Sequence, residues 1–419
     1  MTGSVLPDAA WLDTLAHLTL QVGRILLLNG SDTEQVQVSM ARFATAFGAE
    51  ANLLVSYEAL LVTLVAGEHI RTKIGHRLPE TGVGMSAIEA INGLVDRVGS
   101  KRLPLAEVQS ELDAIEHRPP VYPRWLIVVA LGITAASLSR LFGGDWPACF
   151  AAGLAGTVGT WVRLRLGRWH VNPVLGAFVV ALLSSIVGGL ALRLGTSSTP
   201  ALSLVAPAMI LVPGVPLING ILDMIRNHVT VGLSRLGFAT LVILAIALGV
   251  FSATWVTSVG IPVGSPPFAI GVSQDALFSA LAAGGYTLLF NVPARMAWAC
   301  CVCGIASHTL RTLLFHMKID LVAGTLIGAL VAGFLAHGFA RHFRAPAVAL
   351  AFPGVVAMVP GAYAFRAVFG GLQIAAATAT TTTVTDTLSL SATVGLMVGA
   401  ITVGIAAPAL LFPVRASVR

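Results

Sequence analysis

The chain predicts an all-α polytopic membrane protein: ten transmembrane helices in two inverted five-helix repeats, preceded by a small soluble α/β domain. Composition is the first observation. Of 419 residues, 56% are hydrophobic and 11% charged, with mean hydropathy +0.86, whereas in soluble domains about a quarter of residues are charged. Segregated charge is the second. Residues 1–122 hold 9 Lys/Arg and 14 Asp/Glu, while residues 123–419 hold 16 Lys/Arg, five Asp and no Glu. The third is a repeated break: Val212-Pro213-Gly214 and Val359-Pro360-Gly361 interrupt apolar segments of membrane length, 147 residues apart.

The soluble part comes first. Trp11, Leu12, Leu15, Leu18, Val22 and Leu26 recur at helical spacing, and Asn29-Gly30 closes that helix. Ser31 followed by Glu34 predicts a capping box that opens a second helix through Phe47. Leu53–Ser56, Leu60–Ala66 and His69–Ile74 read as strands, and Met85–Val98 and Leu105–Ile115 as two further helices, the last opened by Pro104. His117 to Pro123 forms a hinge. No secretory leader is predicted. His69 and His76 would face opposite sides of a strand, so no metal site is predicted there.

From Trp125 onward ten apolar segments follow, near 125–142, 146–163, 173–192, 201–225, 233–256, 275–291, 294–312, 320–340, 346–368 and 387–411. A helix needs about 20 residues to cross hydrocarbon. Ser258 to Gln274, with Pro262, Pro266 and Pro267, joins the halves. The predicted parts are therefore a cytoplasmic domain at 1–122, repeats at 123–258 and 275–419, and a linker at 259–274. Pro147 and Pro293 are 146 apart, as are Pro207 and Pro353, and Pro173 and Asp320 are 147 apart. Five spans per unit is an odd number, so the second unit enters inverted.

Ten arginines, Arg163, Arg165, Arg168, Arg226 and Arg235 among them, fall on one side against five basic residues on the other. That bias predicts a cytoplasmic (inner) membrane protein with both termini cytoplasmic. Basic residues at span ends, with no basic soluble face, argue against a nucleic-acid partner. Cys149, Cys300, Cys301 and Cys303 fall inside spans, where their offsets scatter thiols around a helix. They predict packing, with no metal site and no disulfide framework. The spacings Gly324/Gly328 and Gly395/Gly399 predict close helix packing.

Proline in a span removes a backbone donor and frees carbonyls that must be satisfied at membrane depth. The half-helices after the breaks, Val215–Ile225 and Ala362–Phe369, would start near the midplane with partly positive ends suited to a carboxylate. Candidate substrate-binding residues are Pro213, Gly214, Val215 and Asn219 at the first break, and Pro360, Gly361, Tyr363 and Arg366 at the second. Asn219 and Asp223, four residues apart, share a helix face. Asp223 and Asp386 are the candidate proton-coupling groups, since a charge in the bilayer costs about 2.5–3.5 kcal/mol and calls for a reason. Arg366 is the candidate for an anionic group. The plainer alternatives are Asp223 at the cytoplasmic interface beside Arg226, and Asp386 in a polar outer loop with its threonine run. His308 reads as a packed histidine or a proton relay. No GxxxxGK[ST], GxSxG, HExxH or GxGxxG occurs, so neither an enzyme nor a cofactor is predicted.

Four stretches resemble the threonine/serine exporter family: Leu28-Asn29-Gly30-Ser31-Asp32-Thr33-Glu34-Gln35-Val36, Leu211-Val212-Pro213-Gly214-Val215-Pro216-Leu217-Ile218-Asn219-Gly220, Asn291-Val292-Pro293-Ala294-Arg295 and Val359-Pro360-Gly361. The resemblance spans about residues 14 to 412, and its most specific piece is the segment from Pro213 to Gly220. It implies a soluble N-terminal domain with ten spans and export of small hydroxy amino acids driven by the proton gradient. Split relatives are associated with succinate or other dicarboxylates. The chain departs from the family pattern at Glu34-Gln35-Val36, where an Arg-Val-Glu-like triplet is expected.

The expected activity is secondary transport of a small carboxylate-bearing solute, threonine or serine first, coupled to protons across the lipid bilayer. Export of succinate or a related dicarboxylate is the alternative. A membrane receptor or scaffold with a partner-binding head is the alternative of another class. A homo-oligomer is compatible with each.

Overall fold

The computed structural model describes residues 9–76, 82–101, 103–264, 270–343, 345 and 347–411. Pro266 and Pro267 of the linker, Arg344, and Arg415 and Arg419 of the tail lie outside the described residues. The described chain divides into two compact units. One comprises residues 9–121 with Asn219–Arg235; the other comprises Tyr122–Ile218, Leu236–Phe343 and 347–411.

In the first unit, α1 (Ala9–Leu28) almost completely buries Leu12, Leu15, Leu18, Val22 and Leu26. Each such side chain contributes about 1.5–3 kcal/mol relative to exposure. The helix ends in a Schellman turn. Gly30 at φ 92 lets the Ser31 N–H reach Leu26 O at 3.1 Å and its own N–H reach Leu27 O at 3.2 Å. That turn uses Ser31 and corrects the predicted cap. It is Asp32 that caps α2 (Thr33–Ala46), its Oδ1 accepting from the Gln35 N–H at 3.1 Å.

Strands β1 (Glu50–Val55), β2 (Ala59–Ala66) and β3 (His69–His76) form an antiparallel sheet in that order, with Val62 opposite both Leu53 and Lys73. The alternation in β2 buries Leu60, Val62, Leu64 and Ala66 on one face. Helices α3 (Met85–Lys101) and α4 (Leu105–Glu116) follow. Gln21 of α1 ties down α4 by donating to Asp113 at 2.9 Å and to Glu116 at 3.1 Å.

The helical bundle is a succession of six helices that occurs twice. First come α5 (Arg124–Leu141), α6 (Trp146–Arg168), α7 (Pro173–Ala191), α8 (Ala201–Met209), α9 (Gly214–Ile225) and α10 (Val229–Thr257). Then come α11 (Val272–Leu289), α12 (Ala297–His316), α13 (Leu321–Phe343), α14 (Ala347–Val355), α15 (Gly361–Ala375) and α16 (Thr381–Leu411). Both α5 and α11 have 18 residues, both α8 and α14 have 9, and α10 and α16 have 29 and 31. Helix ends recur as well. Left-handed residues follow α5 at Gly143 and α11 at Asn291, and follow α6 at His170 and α12 at Lys318, each pair 148 apart. Asn172 caps α7 through its side chain, and Asp320 does the same for α13.

Among the described residues, six stretches are long and apolar enough to cross a membrane: Arg124–Leu141, Pro173–Leu194, Val229–Thr257, Ala294–His316, Leu321–Phe343 and Thr381–Pro408. Two bent pairs, α8 with α9 at 56° and α14 with α15 at 47°, raise the number to eight if each is one span. Of the ten predicted spans, the two not among these are α6 and α11. Gly153, Gly156, Gly159 and three arginines dilute α6, and Gln274, Asp275 and Gly284-Gly285 dilute α11. The glycines bring helices close. A Cβ on Gly354 of α14 would lie 2.8 Å from Cys303 Cβ and 2.9 Å from Gly304 N on α12. Gly328 likewise packs on Ser307 O, 2.5 Å from its would-be Cβ. The Gly395/Gly399 spacing marks no close helix contact, for a Cβ on either would meet nothing within 4 Å. On α16 it is Gly404 that packs, its would-be Cβ 2.6 Å from Ala329 Cβ of α13.

Candidate functional site

Each break is prepared by a proline nearly two turns upstream. Pro353 inside α14 cannot donate to Ala349 O, and the buried Cys300 thiol of α12 points at that carbonyl instead, 3.8 Å away. Near Pro207 inside α8, Ser185 of α7 donates to Leu204 O at 3.0 Å. This gives Cys300 a local role beyond filling space.

The breaks themselves share one geometry. Gly214 N–H turns back on Val212 O at 2.8 Å, and Gly361 N–H on Val359 O at 2.7 Å, so both are three-residue γ-turns. New helices start at once: Leu217 N–H reaches Pro213 O at 3.1 Å and Ala364 N–H reaches Pro360 O at 2.9 Å. The amides of Val215, Ala362 and Tyr363 in these first turns have no helical acceptor. The two turns adjoin. A Cβ on Gly361 would sit 3.1 Å from Val212 Cγ2, and one on Gly214 would sit 3.7 Å from Val359 Cγ2. Pro213, Gly214, Val215, Pro360 and Gly361 are thus brought together.

Beside the first break lies a small cleft of about 10 Å³, room for about one water, whose lining includes Thr160 and Arg163 of α6, Ser184 of α7, and Pro207, Ile210 and Leu211. Arg163, read from the sequence as a span-end charge, is exposed on this cleft and makes no ion pair among the described residues. Ile210 O and Leu211 O have lost their helical donors, because Gly214 N–H is turned back on Val212 O and helix resumes only beyond it.

In the second half the corresponding turn of α12 carries a closed polar network. Arg311 approaches His308 Nε2 at 2.6 Å, and His308 Nδ1 lies 2.9 Å from Asp275 Oδ2 on α11. Thr312 donates to the same oxygen at 2.6 Å, and Ser279 to Asp275 Oδ1 at 3.2 Å. The Arg311 donor requires a lone pair on Nε2, so the proton sits on Nδ1 and the imidazole is neutral. All four principal members, Asp275, His308, Arg311 and Thr312, are buried. Asp275 and Arg311 were not among the sequence candidates. The signal for them was a polar stripe, His308, Arg311 and Thr312, at offsets of three and four on one helix face.

Asn219 and Asp223 of α9 belong to the first unit. Asn219 Nδ2 donates to Gly30 O at 2.8 Å, and Asp223 Oδ1 accepts from the Thr33 N–H at 3.0 Å. Arg235 lies 3.3 Å from Asp223 Oδ2 and donates to Ser31 O at 3.0 Å, while Arg226 pairs with Asp32 at 2.6 Å. Both segments singled out by sequence, Gly30–Thr33 and Asn219–Asp223, therefore hold one another. Tyr363 stacks edge-on with Phe142, ring centroids 6.2 Å apart. Arg366 donates to the linker carbonyls of Pro262 and Val263, and Asp386 abuts Gly264 of the same linker. The threonines from Thr381 to Thr385 are helical, forming the start of α16.

A family model described as "Putative threonine/serine exporter" matches residues 17–256, and another, "Threonine/Serine exporter, ThrE", matches residues 275–411. The chain is 29% identical over 242 residues to a "Probable succinate transporter subunit YjjP" of Klebsiella aerogenes, covering 57% of this chain and 92% of that one. It is 26% identical over 374 residues to a "Probable threonine/serine exporter" of Mycobacterium tuberculosis, covering 84% and 69%. With a "Threonine/serine exporter" of Corynebacterium glutamicum it shares 21% over 384 residues, covering 88% and 78%. No solved structure matches the chain.

Proposed function

The chain belongs to the threonine/serine exporter family, and on that premise we propose that it is a proton-coupled secondary exporter of small amino acids, threonine and serine first. An exporter of this family is a multi-pass membrane protein and not an enzyme. The observation that carries the finer reading is the adjoining pair of γ-turn breaks at Val212–Gly214 and Val359–Gly361. Broken helices at matched positions of two halves are where secondary transporters hold their cargo.

In this reading α8–α9 and α14–α15 each count as one span, giving ten in all, and five per half inverts one half against the other. Alternating access follows from rocking of one half against the other about the breaks. The N-terminal domain and the C-terminus lie on the cytoplasmic side of the inner membrane. Substrate-facing groups are Pro213, Gly214 and Val215 with Pro360, Gly361 and Tyr363. Asn219 supports the first half-helix by holding Gly30.

Protons enter through buried carboxylates. Asp223 and the Asp275–His308 pair are the buried acids of the bundle helices, and each has a cation beside it to relieve on protonation. Asp386 serves at the linker end. A dicarboxylate such as succinate needs two cations in the site. Arg366 donates to linker carbonyls and Arg311 is engaged within its own network, which favours a single carboxylate.

Counterflow into proteoliposomes with labelled L-threonine, L-serine and succinate is the test. Threonine or serine flux stimulated by a pH gradient is expected, with Asp223→Asn or Asp275→Asn abolishing the gradient dependence. Gly361→Leu should abolish flux in a protein that still inserts, because its side chain would enter the Val212 and Met209 contact. Normal threonine flux in Gly361→Leu rules out the breaks as the site.

A further inference from the structure

We propose that the end of α6 holds the headgroup of an anionic phospholipid, with Arg165 and Arg168 on its phosphate and Trp161 at its acyl boundary. This rests on α6 being a span, as in the reading above. Phe150, Leu154, Trp161, Arg165 and Arg168 follow one another at offsets of four, seven, four and three, so they share one face of the helix. No protein covers that face: Phe150 is 69% and Trp161 51% exposed, and both arginines are exposed. Arg163 lies on the opposite side, where it lines the cleft.

An exposed row that begins in phenylalanine and leucine and ends in two arginines passes from hydrocarbon to headgroups. Trp146, at the start of α6, stands about 28 Å from Arg165 at helical rise, against about 30 Å for a hydrocarbon core. Each end of this face carries an arginine on a tryptophan. Arg140 lies 5.3 Å from the Trp146 ring centroid, and Arg165 lies 5.0 Å from that of Trp161. Tryptophan and a long cationic side chain are the groups that settle at the membrane–water boundary. The Trp161 ring therefore holds the Arg165 guanidinium on the lipid side of the helix.

The charge calls for an anion. Arg165 and Arg168 are three residues apart, so their like charges repel across one turn. The ion pairs within the bundle helices are Arg235 with Asp223 and His308 with Asp275, and neither arginine joins one among the described residues. No Asp or Glu occurs from residue 146 to 222. The frame does not require the pair either. At the end of α12, 148 residues later, Leu313 and His316 stand in the places of Arg165 and Arg168. A phosphodiester between two guanidinium groups accepts from both and cancels their repulsion, while its acyl chains lie along Leu154 and Phe150. A zwitterionic lipid brings its own cation, and a free phosphate leaves the apolar row unmatched.

The test titrates purified full-length protein in neutral detergent with phosphatidylglycerol and counts bound lipid by native mass spectrometry. Arg165→Gln/Arg168→Gln should weaken the tightest binding at least ~10-fold. Arg165→Lys/Arg168→Lys, which keeps the charge and loses the planar fork, should weaken it by about 3-fold. Both variants change exposed side chains and should melt with the wild type. Equal affinity in the wild type and the glutamine variant overturns the proposal, as does equal affinity for phosphatidylcholine. Displacement of the lipid by glycerol 3-phosphate at equal concentration assigns the arginines to a soluble phosphate and overturns it too. Wild-type protein that retains phosphatidylglycerol but shows no threonine counterflow keeps this site and removes the transporter. Counterflow with unchanged lipid affinity in the glutamine variant does the opposite.

Discussion

The two halves of the bundle share a frame and differ in their chemistry. Helix order, the lengths of α5 and α11, the left-handed helix ends and the γ-turns are common to both. One turn of α6 and its partner on α12 are not. Arg311 is sealed in a network with His308 and Asp275, whereas Arg163 opens on a cleft without an acidic partner. The shared frame fixes where a guanidinium stands, and the neighbours decide whether it is structural or available. A buried ion pair is costly to break from one side, while an exposed cation contributes little to stability.

The largest expected effect follows from that difference. Asp275→Ala leaves Arg311 as an uncompensated buried charge and removes the acceptor of Thr312, so a loss of about 3–5 kcal/mol is predicted. Arg163→Gln removes an exposed cation that has no carboxylate partner among the described residues, and less than about 1 kcal/mol is predicted. Thermal unfolding of the detergent-solubilised variants measures both. Equal shifts would mean that the two arginines occupy equivalent environments, and the contrast between the halves would collapse.

Much of the frame was legible without coordinates. The strands declared themselves by alternation, as in Leu60, Val62 and Leu64, and the breaks by Val-Pro-Gly in apolar surroundings. The offset between Pro213 and Pro360 already carried the repeat. What remained hidden depends on which helices touch. Asp275 and His308 are 33 residues apart and sit on different helices, so no local pattern joins them. Arg163 lies at a span end by hydropathy, and only the packing of α6, α7 and α8 turns it toward a cleft. Asp32 displaced Ser31 as a cap because the Schellman turn consumes the earlier residue, a competition between two local motifs that sequence alone left undecided.

The half-helices after the breaks extend the comparison at a smaller scale. Each fastens a segment outside the spans: α9 holds Gly30 through Asn219, and α15 holds the linker carbonyls through Arg366. The first clasp is buried and the second is partly exposed. Asn219→Ala strands Gly30 O and should cost about 2 kcal/mol, whereas Arg366→Gln should cost about 1 kcal/mol. Hydrogen exchange separates them. Protection of the Thr33 amide should fall in the first variant and not in the second. Unchanged protection at Thr33 in Asn219→Ala would show that Asp223, Arg235 and Arg226 hold that loop without Asn219.

The smallest effect lies at the starts of the matched helices α6 and α12. Asp145 caps α6, its carboxylate accepting from the Ala148 N–H at 3.0 Å, Ser197 Oγ at 2.8 Å and the Ser198 N–H at 2.6 Å. The residue 148 places later is Pro293, which offers no side-chain cap. Burial pushes the Asp145 carboxyl up, but these hydrogen bonds together outweigh it and hold the group at about 2. A carboxyl lowered in the folded state stabilises above its unfolded value of 3.8, and that contribution is lost as pH falls through about 2. The site is largely solvated, so the gain is about 1 kcal/mol or less. Asp145→Asn keeps an acceptor without the charge. The wild type should therefore melt above Asp145→Asn at pH 6, with the gap closing between pH 4 and pH 2. A gap that persists at pH 2 would assign the cap's contribution to hydrogen-bond geometry and not to its charge, and the contrast between the two helix starts would then reduce to one residue's shape.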